Sequence, residues 1–202
     1  MLVITTQTGS LPAGQMRWAA RRHDDDRPDA SSGTSAAGLF EAVFAALHDG
    51  EQVALGFDCP LTLPVSPGGG ATAGPDALLV LAAPSADLPG IAELGRLLTE
   101  LGTWRPWTTV STSLWRWKAN TSVLVWQAVW QPVPADGSRP VAPAAAADAF
   151  FRRIQPPARE QEADQPAGPV VNLAAAAARR AGLFVDEAEL ARPALSITVA
   201  GS

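Results

Sequence analysis

The chain has 202 residues, of which 47% are hydrophobic and 17% are charged, a composition typical of packed globular proteins and not of disordered ones. Its formal net charge of −5 argues against avid, sequence-independent binding of nucleic acid, although a local basic patch stays compatible with it. The one cysteine, Cys59, excludes an intramolecular disulfide, indicates a reducing compartment and is expected to be a buried small apolar residue.

The N-terminal residues lack the charged start of a secretory signal. No apolar run approaches the roughly 18 residues that are needed to span a bilayer. We therefore expect a cytoplasmic protein without a membrane partner.

The first half of the chain predicts a hairpin, a helix and a strand. β-Branched residues favour a strand over residues 2–6, and residues 15–23 provide its antiparallel return. Apolar residues at helical spacing follow Ser35, a suitable N-cap, and Gly50 stands where helices commonly end. An apolar run over residues 53–58 then predicts a buried strand, so the order of elements indicates an α/β fold.

The second half continues with alternating helices and strands. Apolar spacing and caps predict helices at residues 89–101, 144–154, 172–180 and 186–191. Apolar runs predict strands at residues 78–83, 121–130 and 194–200. Composition predicts mobile loops at about residues 24–34, 64–76 and 155–169. Because the α/β segments are expected to share one core, we predict a single domain over residues 1–202.

Asp58 is the first candidate for a functional residue, because it ends an apolar strand. A carboxylate at the end of a strand can hold Mg²⁺ or Mn²⁺ through its oxygens, and two such metals activate water in phosphodiester cleavage. A structural interpretation is equally open, since an aspartate before Cys59 and Pro60 can accept backbone N–H groups in a turn.

Gln127, Asp186 and Glu187 are further candidates. Gln127 interrupts an apolar strand, so it either faces Asp58 across the strand ends or is a core glutamine with satisfied hydrogen bonds. Its amide is a weaker metal ligand than a carboxylate and cannot act as a general base. Asp186 and Glu187 either complete an acidic cluster or cap the start of a helix.

Six tryptophans lie between residues 104 and 130, with basic residues among them. Such rings can stack on single-stranded bases, and they also fill cores and protein interfaces. The alternation of Trp115 and Trp117 predicts a strand with both rings on one face. The candidate partner-binding residues are Trp104, Trp107, Trp115 and Trp117.

Three segments resemble the bacterial DUF429-type proteins, a family of predicted nucleases with a ribonuclease H-like fold. Residues 53–61, reading Val-Ala-Leu-Gly-Phe-Asp-Cys-Pro-Leu, are similar to the family's Gly-Phe/Ile-Asp/Glu-x-Pro-Leu strand. Residues 124–129 resemble its Leu-Leu-Trp-Glu-Ala-Phe strand. Residues 172–183, followed by Asp186, resemble its late helix with a Gly-Leu-x-x-Asp exit. The resemblance implies a mixed sheet that opens with an N-terminal hairpin and is flanked by helices.

The resemblance also implies an acidic metal site built from separate strands. Asp58 matches the family's acidic position after the strand, and Asp186 matches the aspartate after the late helix. Gln127 stands where the relatives carry glutamate. The first strand of such folds bears an aspartate, but Thr5, Thr6 or Gln7 occupies that place here. Because divalent metals need negative ligands, we expect a degenerate site.

Three hypotheses follow. The first is a catalytically degenerate ribonuclease H-like domain that binds a nucleic-acid or protein partner as a regulatory module. The second is a metal-dependent nuclease or phosphodiesterase that uses Asp58 and Asp186, with Mg²⁺ or Mn²⁺ as its cofactor. The third is a structural subunit that docks a partner through the tryptophan-rich segment. The sequence leaves open whether the chain is an enzyme.

Overall fold

The computed structural model describes residues 1–7, 16–23, 31–64, 89–103, 110–120, 123–131, 143–154 and 169–199. The strand predicted at residues 78–83 lies outside these ranges, as does most of each predicted loop. The described strands are β1 (Leu2–Gln7), β2 (Arg17–Arg22), β3 (Ser31–Gly33), β4 (Val53–Phe57), β5 (Thr62–Pro64), β6 (Val110–Ser111), β7 (Val123–Trp130), β8 (Val170–Asn172) and β9 (Ser196–Val199). The described helices are α1 (Ala36–His48), α2 (Pro89–Thr103), α3 (Leu114–Asn120), α4 (Pro143–Ile154), α5 (Leu173–Arg180) and α6 (Glu187–Leu190).

A mixed sheet forms the centre of the fold, in the order β3-β2-β1-β4-β7. β1 and β2 pair antiparallel, whereas β1, β4 and β7 run parallel to one another. Two strands share the far side of β7, because β6 pairs with its first residues and β9 with its last four. The prediction of an α/β fold whose sheet begins with an antiparallel hairpin is confirmed.

Apolar side chains cover both faces of the sheet, as expected for parallel strands that are buried on both sides. Ile4, Leu55 and Val125 lie on one face, in a core that includes residues of α1, α2 and α5. Their neighbours along the strands lie on the other face, against Trp117 of α3 and Phe150 of α4. Helices therefore flank the sheet on both sides. None of the described helices is long and apolar enough to cross a membrane.

Trp126 determines how closely β4 and β7 pack on the second face. Its ring is fully buried and lies 5.2 Å from the ring of Phe150, centroid to centroid. A Cβ atom on Gly56, in the neighbouring strand, would lie 2.4 Å from the Trp126 ring. Because real Cβ contacts of this length do not occur, a glycine at position 56 is what allows the indole to lie flat against β4.

The predicted helix ends agree with the structure at α1 and α5. Ser35 Oγ accepts a hydrogen bond from the Gly38 N–H at 3.2 Å, and Asn172 Oδ1 accepts one from the Ala175 N–H at 3.1 Å. Gly50 and Gly182 follow these two helices with φ of 75° and 79°, a backbone conformation that glycine adopts without steric cost. Capping side chains thus set the start of these two helices, and glycines set their ends.

Three local predictions need correction. Trp115 and Trp117 belong to helix α3 and not to a strand. The segment predicted as a loop at residues 24–34 contains β3, which pairs with β2. β5 and β8 form a separate two-stranded antiparallel sheet that the sequence did not indicate. β3, β5 and β8 have only three residues each, so their pairing depends on tertiary contacts and not on a visible periodicity.

Two glycines of α2 test the packing of that helix. A Cβ atom on Gly102 would lie 2.6 Å from the Ala181 carbonyl oxygen at the end of α5, whereas a Cβ on Gly95 would meet nothing within 4 Å. We expect Gly102→Ala to lower the free energy of unfolding by ~1–3 kcal/mol through overpacking. Gly95→Ala should raise it by ~0.5–1 kcal/mol through helix propensity. Urea unfolding measures both, and equal stabilities would contradict the close contact of α2 with α5.

Candidate functional site

The carboxyl edge of the parallel strands is where the sequence predicts a site. Register places Thr5 of β1 opposite Gly56 and Phe57 opposite Gln127. Asp58, which directly follows β4, therefore lies one residue beyond Gln127 along the strand direction. The structure brings the ends of β1 and β4 and the middle of β7 together at this edge.

Asp58 lies in a bend after β4 and is half-buried. Cys59, beside it, is buried, as predicted. Burial, and secondarily the negative charge of Asp58, raise the pKa of the Cys59 thiol from 9.0 to about 12. The thiol is therefore protonated at neutral pH and is not suited to act as a nucleophile.

Gln127 has a structural partner at this edge. Its Oε1 accepts a hydrogen bond from the Leu61 N–H at 3.1 Å. Leu61 O in turn accepts from the Leu173 N–H at 2.8 Å, which connects the segment after β4 to the start of α5. The interpretation of Gln127 as a glutamine with satisfied hydrogen bonds therefore describes its amide oxygen, which has a backbone donor.

The hydroxyl groups at the end of β1 are buried. Thr6 Oγ1 donates to the Gly56 carbonyl oxygen at 3.2 Å. Thr5 Oγ1 is also buried and has no hydrogen-bond partner among the described residues. Gln7, the last residue of the strand, is half-buried. The last residues of β1 are thus neutral, and Thr5 and Thr6 lie beside Gly56 of β4.

Asp186 caps helix α6, as one of the two interpretations predicts. Its Oδ1 accepts from the Ala188 N–H at 2.9 Å, and its Oδ2 accepts from Arg116 Nη2 at 2.9 Å. The Ala188 N–H, followed by the Arg116 side chain, lowers the pKa of the Asp186 carboxyl below 3.8. Glu187 is 87% exposed and lies 3.8 Å from Arg179, so it is not part of a buried cluster.

A buried polar chain adjoins Asp186, and the sequence did not indicate it. Asn172 Nδ2 donates to Thr112 Oγ1 at 3.0 Å, and Thr112 Oγ1 contacts Glu189 Oε2 in a short hydrogen bond. Asn172, Thr112 and Glu189 are 0%, 4% and 5% exposed. The only local signal was Asn172 as a helix cap; the other members are separated from it by 17 residues or more in the sequence.

The direction of the hydrogen bonds along this chain follows from the cap at Asn172. Asn172 Oδ1 accepts from a backbone N–H, so its Nδ2 must donate to Thr112. Thr112 then donates its single hydroxyl proton to Glu189. Arg116 Nε lies 3.5 Å from the other oxygen of that carboxylate. The Glu189 carboxyl group thus has a hydroxyl donor at one oxygen and a guanidinium group near the other.

No group of three or more His, Cys, Asp or Glu side chains is placed to hold a metal ion within the ranges that the structure describes. Of the predicted metal ligands, Asp58 lies in the bend after β4 and Asp186 caps α6. Asp186 has its two oxygens engaged by Ala188 and Arg116.

Of the predicted partner-binding tryptophans, the structure describes only the Trp117 side chain. Trp104 and Trp107 lie outside the described residues, and only the backbone of Trp115, in α3, is described. Trp117 is 1% exposed and makes an edge-to-face contact with Phe150, at 6.0 Å between centroids. Its ring fills the core beneath α4 and is not available on the surface in this conformation.

Two substitutions at Gln127 test its structural role. Gln127→Leu leaves the partly buried Leu61 N–H without its acceptor, so we expect the free energy of unfolding to fall by ~1–3 kcal/mol. Gln127→Glu keeps an oxygen in the same place and should cost clearly less. Urea unfolding compares the two variants, and an equal loss in both would show that the Leu61 hydrogen bond contributes little.

The Cys59 thiol gives a further test. At pH 8 its thiolate fraction should lie about a thousandfold below that of an ordinary thiol, because each unit of pKa is a factor of ten. We therefore expect slow reaction with Ellman's reagent in the native protein and immediate reaction in urea. Asp58→Asn should change the native rate only slightly, since burial is the larger cause of the shift. Rapid labelling of the native protein would contradict this placement of Cys59.

The chain has no significant match among protein-family models, curated proteins or solved structures. The expected resemblance to DUF429-type proteins therefore stays a prediction from three sequence segments, which form β4 with the bend after it, part of β7, and α5 with its exit towards Asp186.

Proposed function

We propose that this chain is a catalytically degenerate ribonuclease H-like domain, divergent from the DUF429-type proteins, that acts as a binding or regulatory module. The mixed sheet that begins with a hairpin and is flanked by helices supports this architecture. The three similar segments also meet: β4 pairs with β7, and the carbonyl oxygen of Leu61, which follows the bend, accepts a hydrogen bond from Leu173, the first residue of α5.

One observation carries the proposal: most positions that correspond to the family's acidic site perform a structural task here. Thr6 donates to Gly56, and Gln127 accepts from Leu61. Asp186 caps α6 and pairs with Arg116. Two-metal hydrolysis requires several anionic oxygens that are free to surround the ions. Neutral or engaged groups at these positions favour binding over phosphodiester cleavage.

The two other hypotheses have less support. A nuclease that uses Asp58 and Asp186 would have to displace Arg116 from Asp186, at the loss of a hydrogen bond between charged groups. A docking surface made of the tryptophan segment cannot include the Trp117 ring while that ring is buried. The net charge of −5 favours a protein over a nucleic acid as the partner, because a basic surface supplies most of the affinity for phosphates.

Titration with Mn²⁺ tests the proposal directly. We expect calorimetry of the purified protein to show no binding tighter than about millimolar, the range of weak carboxylate sites. We also expect no cleavage of DNA or RNA above background in Mn²⁺ or Mg²⁺. Because the proposal gives Asp58 no part in metal binding or cleavage, Asp58→Asn should leave both results unchanged.

A matched control is Asp49→Asn, which removes an exposed carboxylate at the end of α1. Micromolar Mn²⁺ binding that is lost in Asp58→Asn and kept in Asp49→Asn would overturn the proposal. Metal-dependent cleavage with the same pattern would establish the nuclease hypothesis in its place.

A further inference from the structure

Asp186 and Glu189 share one positive group, the guanidinium of Arg116. Arg116 Nη2 lies 2.9 Å from Asp186 Oδ2, and Arg116 Nε lies 3.5 Å from Glu189 Oε1. Nε and Nη2 form one edge of the planar guanidinium. Both carboxylates therefore approach the same side of a single cation.

Glu189 is the member of this pair that requires a cation. Its side chain is 6% exposed, and Oε1 is buried without a hydrogen-bond partner among the described residues. Oε2 is already bonded to the Thr112 hydroxyl. The unpartnered oxygen points towards Arg116 Nε, at a distance longer than a normal hydrogen bond. A buried carboxyl oxygen that lacks a hydrogen-bond partner and lies beside a guanidinium group marks a site for positive charge.

We propose that Arg116 is an internal counter-cation, which takes the place that a divalent metal ion would occupy between Asp186 and Glu189. Two carboxylates, completed by water molecules, are a usual protein contribution to Mg²⁺ and Mn²⁺ sites. With Arg116 in place, the formal charges of the three side chains sum to −1 and the two carboxylates already have a cation. Without Arg116, the pair carries −2 and becomes a divalent-cation site.

The neighbouring charges are consistent with this role for Arg116. Arg192 acts on Asp186 through its charge, as a weaker cause of the lowered pKa than Arg116. Glu187 and Arg179 form an exposed pair of their own. Arg116 is the side chain that contacts both carboxylates, so its removal is the change that exposes them together.

The inference deepens the proposed function, on which it rests in one respect: the protein with Arg116 does not bind a metal at this edge. The test compares the wild type with Arg116→Ala, by calorimetric titration with MnCl₂ and by thermal unfolding in EDTA and in about 5 mM MnCl₂, above the dissociation constants of weak carboxylate sites. We expect Arg116→Ala to melt below the wild type in EDTA. We expect Mn²⁺ to restore its melting temperature and to bind at least about tenfold more tightly than to the wild type, because two adjacent anions attract the ion.

Two further variants make the result specific. Arg116→Ala combined with Glu189→Gln removes the buried anion and should lose the Mn²⁺ effect. Arg179→Ala is the matched control, since Arg179 pairs with the exposed Glu187, and it should show neither the loss of stability nor the gain in Mn²⁺ affinity. If Arg116→Ala is unfolded in EDTA, circular dichroism in MnCl₂ serves as the readout, and recovery of the folded signal is expected.

Failure of Mn²⁺ both to bind and to stabilise Arg116→Ala would overturn the inference, and Arg116 would then be an ordinary ion-pair residue. An equal Mn²⁺ effect in the double variant would overturn it as well. The proposed function is judged separately, from Asp58-dependent Mn²⁺ binding by the wild type. Repeating the titration of Arg116→Ala with Asp58→Asn added distinguishes the two, since the gain caused by removing Arg116 should persist without Asp58.

Discussion

Hydrogen bonding of buried polar groups is the constraint on which the carboxyl edge of the sheet depends, although Thr5 Oγ1 has no partner among the described residues. Gln127 satisfies the Leu61 N–H, and Asn172 both caps α5 and donates to Thr112. An unpaired buried polar group costs more than a hydrogen bond contributes. Side chains that perform this pairing are held in place, so they are poorly suited to the changing coordination of a reacting metal ion.

The shape of β7 explains why a polar chain is needed there. β6 pairs only with the first residues of β7, and β9 pairs only with its last four, so two strands share one side of β7. Thr112 follows β6 directly, and Glu189 lies in the short helix before β9. Their hydrogen bond connects the segment after β6 to the helix before β9. The same Glu189 then requires Arg116, and in this way the topology of the sheet leads to the charge arrangement at its edge.

Several elements could be predicted because their signals are local. The cap at Ser35, the glycine at position 50 and the apolar run of β4 all lie within a few residues of the structure that they specify. Asp186 could be identified as a cap for the same reason. The pairing of β5 with β8 could not be predicted, because each strand has three residues and its partner lies more than a hundred positions away.

The sequence by itself determined the α/β order of elements and the ends of α1 and α5. Only the tertiary structure decided that Asp186 has a second partner and that Glu189 is buried. The physical reason is distance along the chain: Thr112 and Glu189 are 77 residues apart, and Arg116 and Asp186 are 70 apart. Periodicity and capping act over a few residues, whereas the pairing of buried charges is decided by which segments the folded sheet brings into contact.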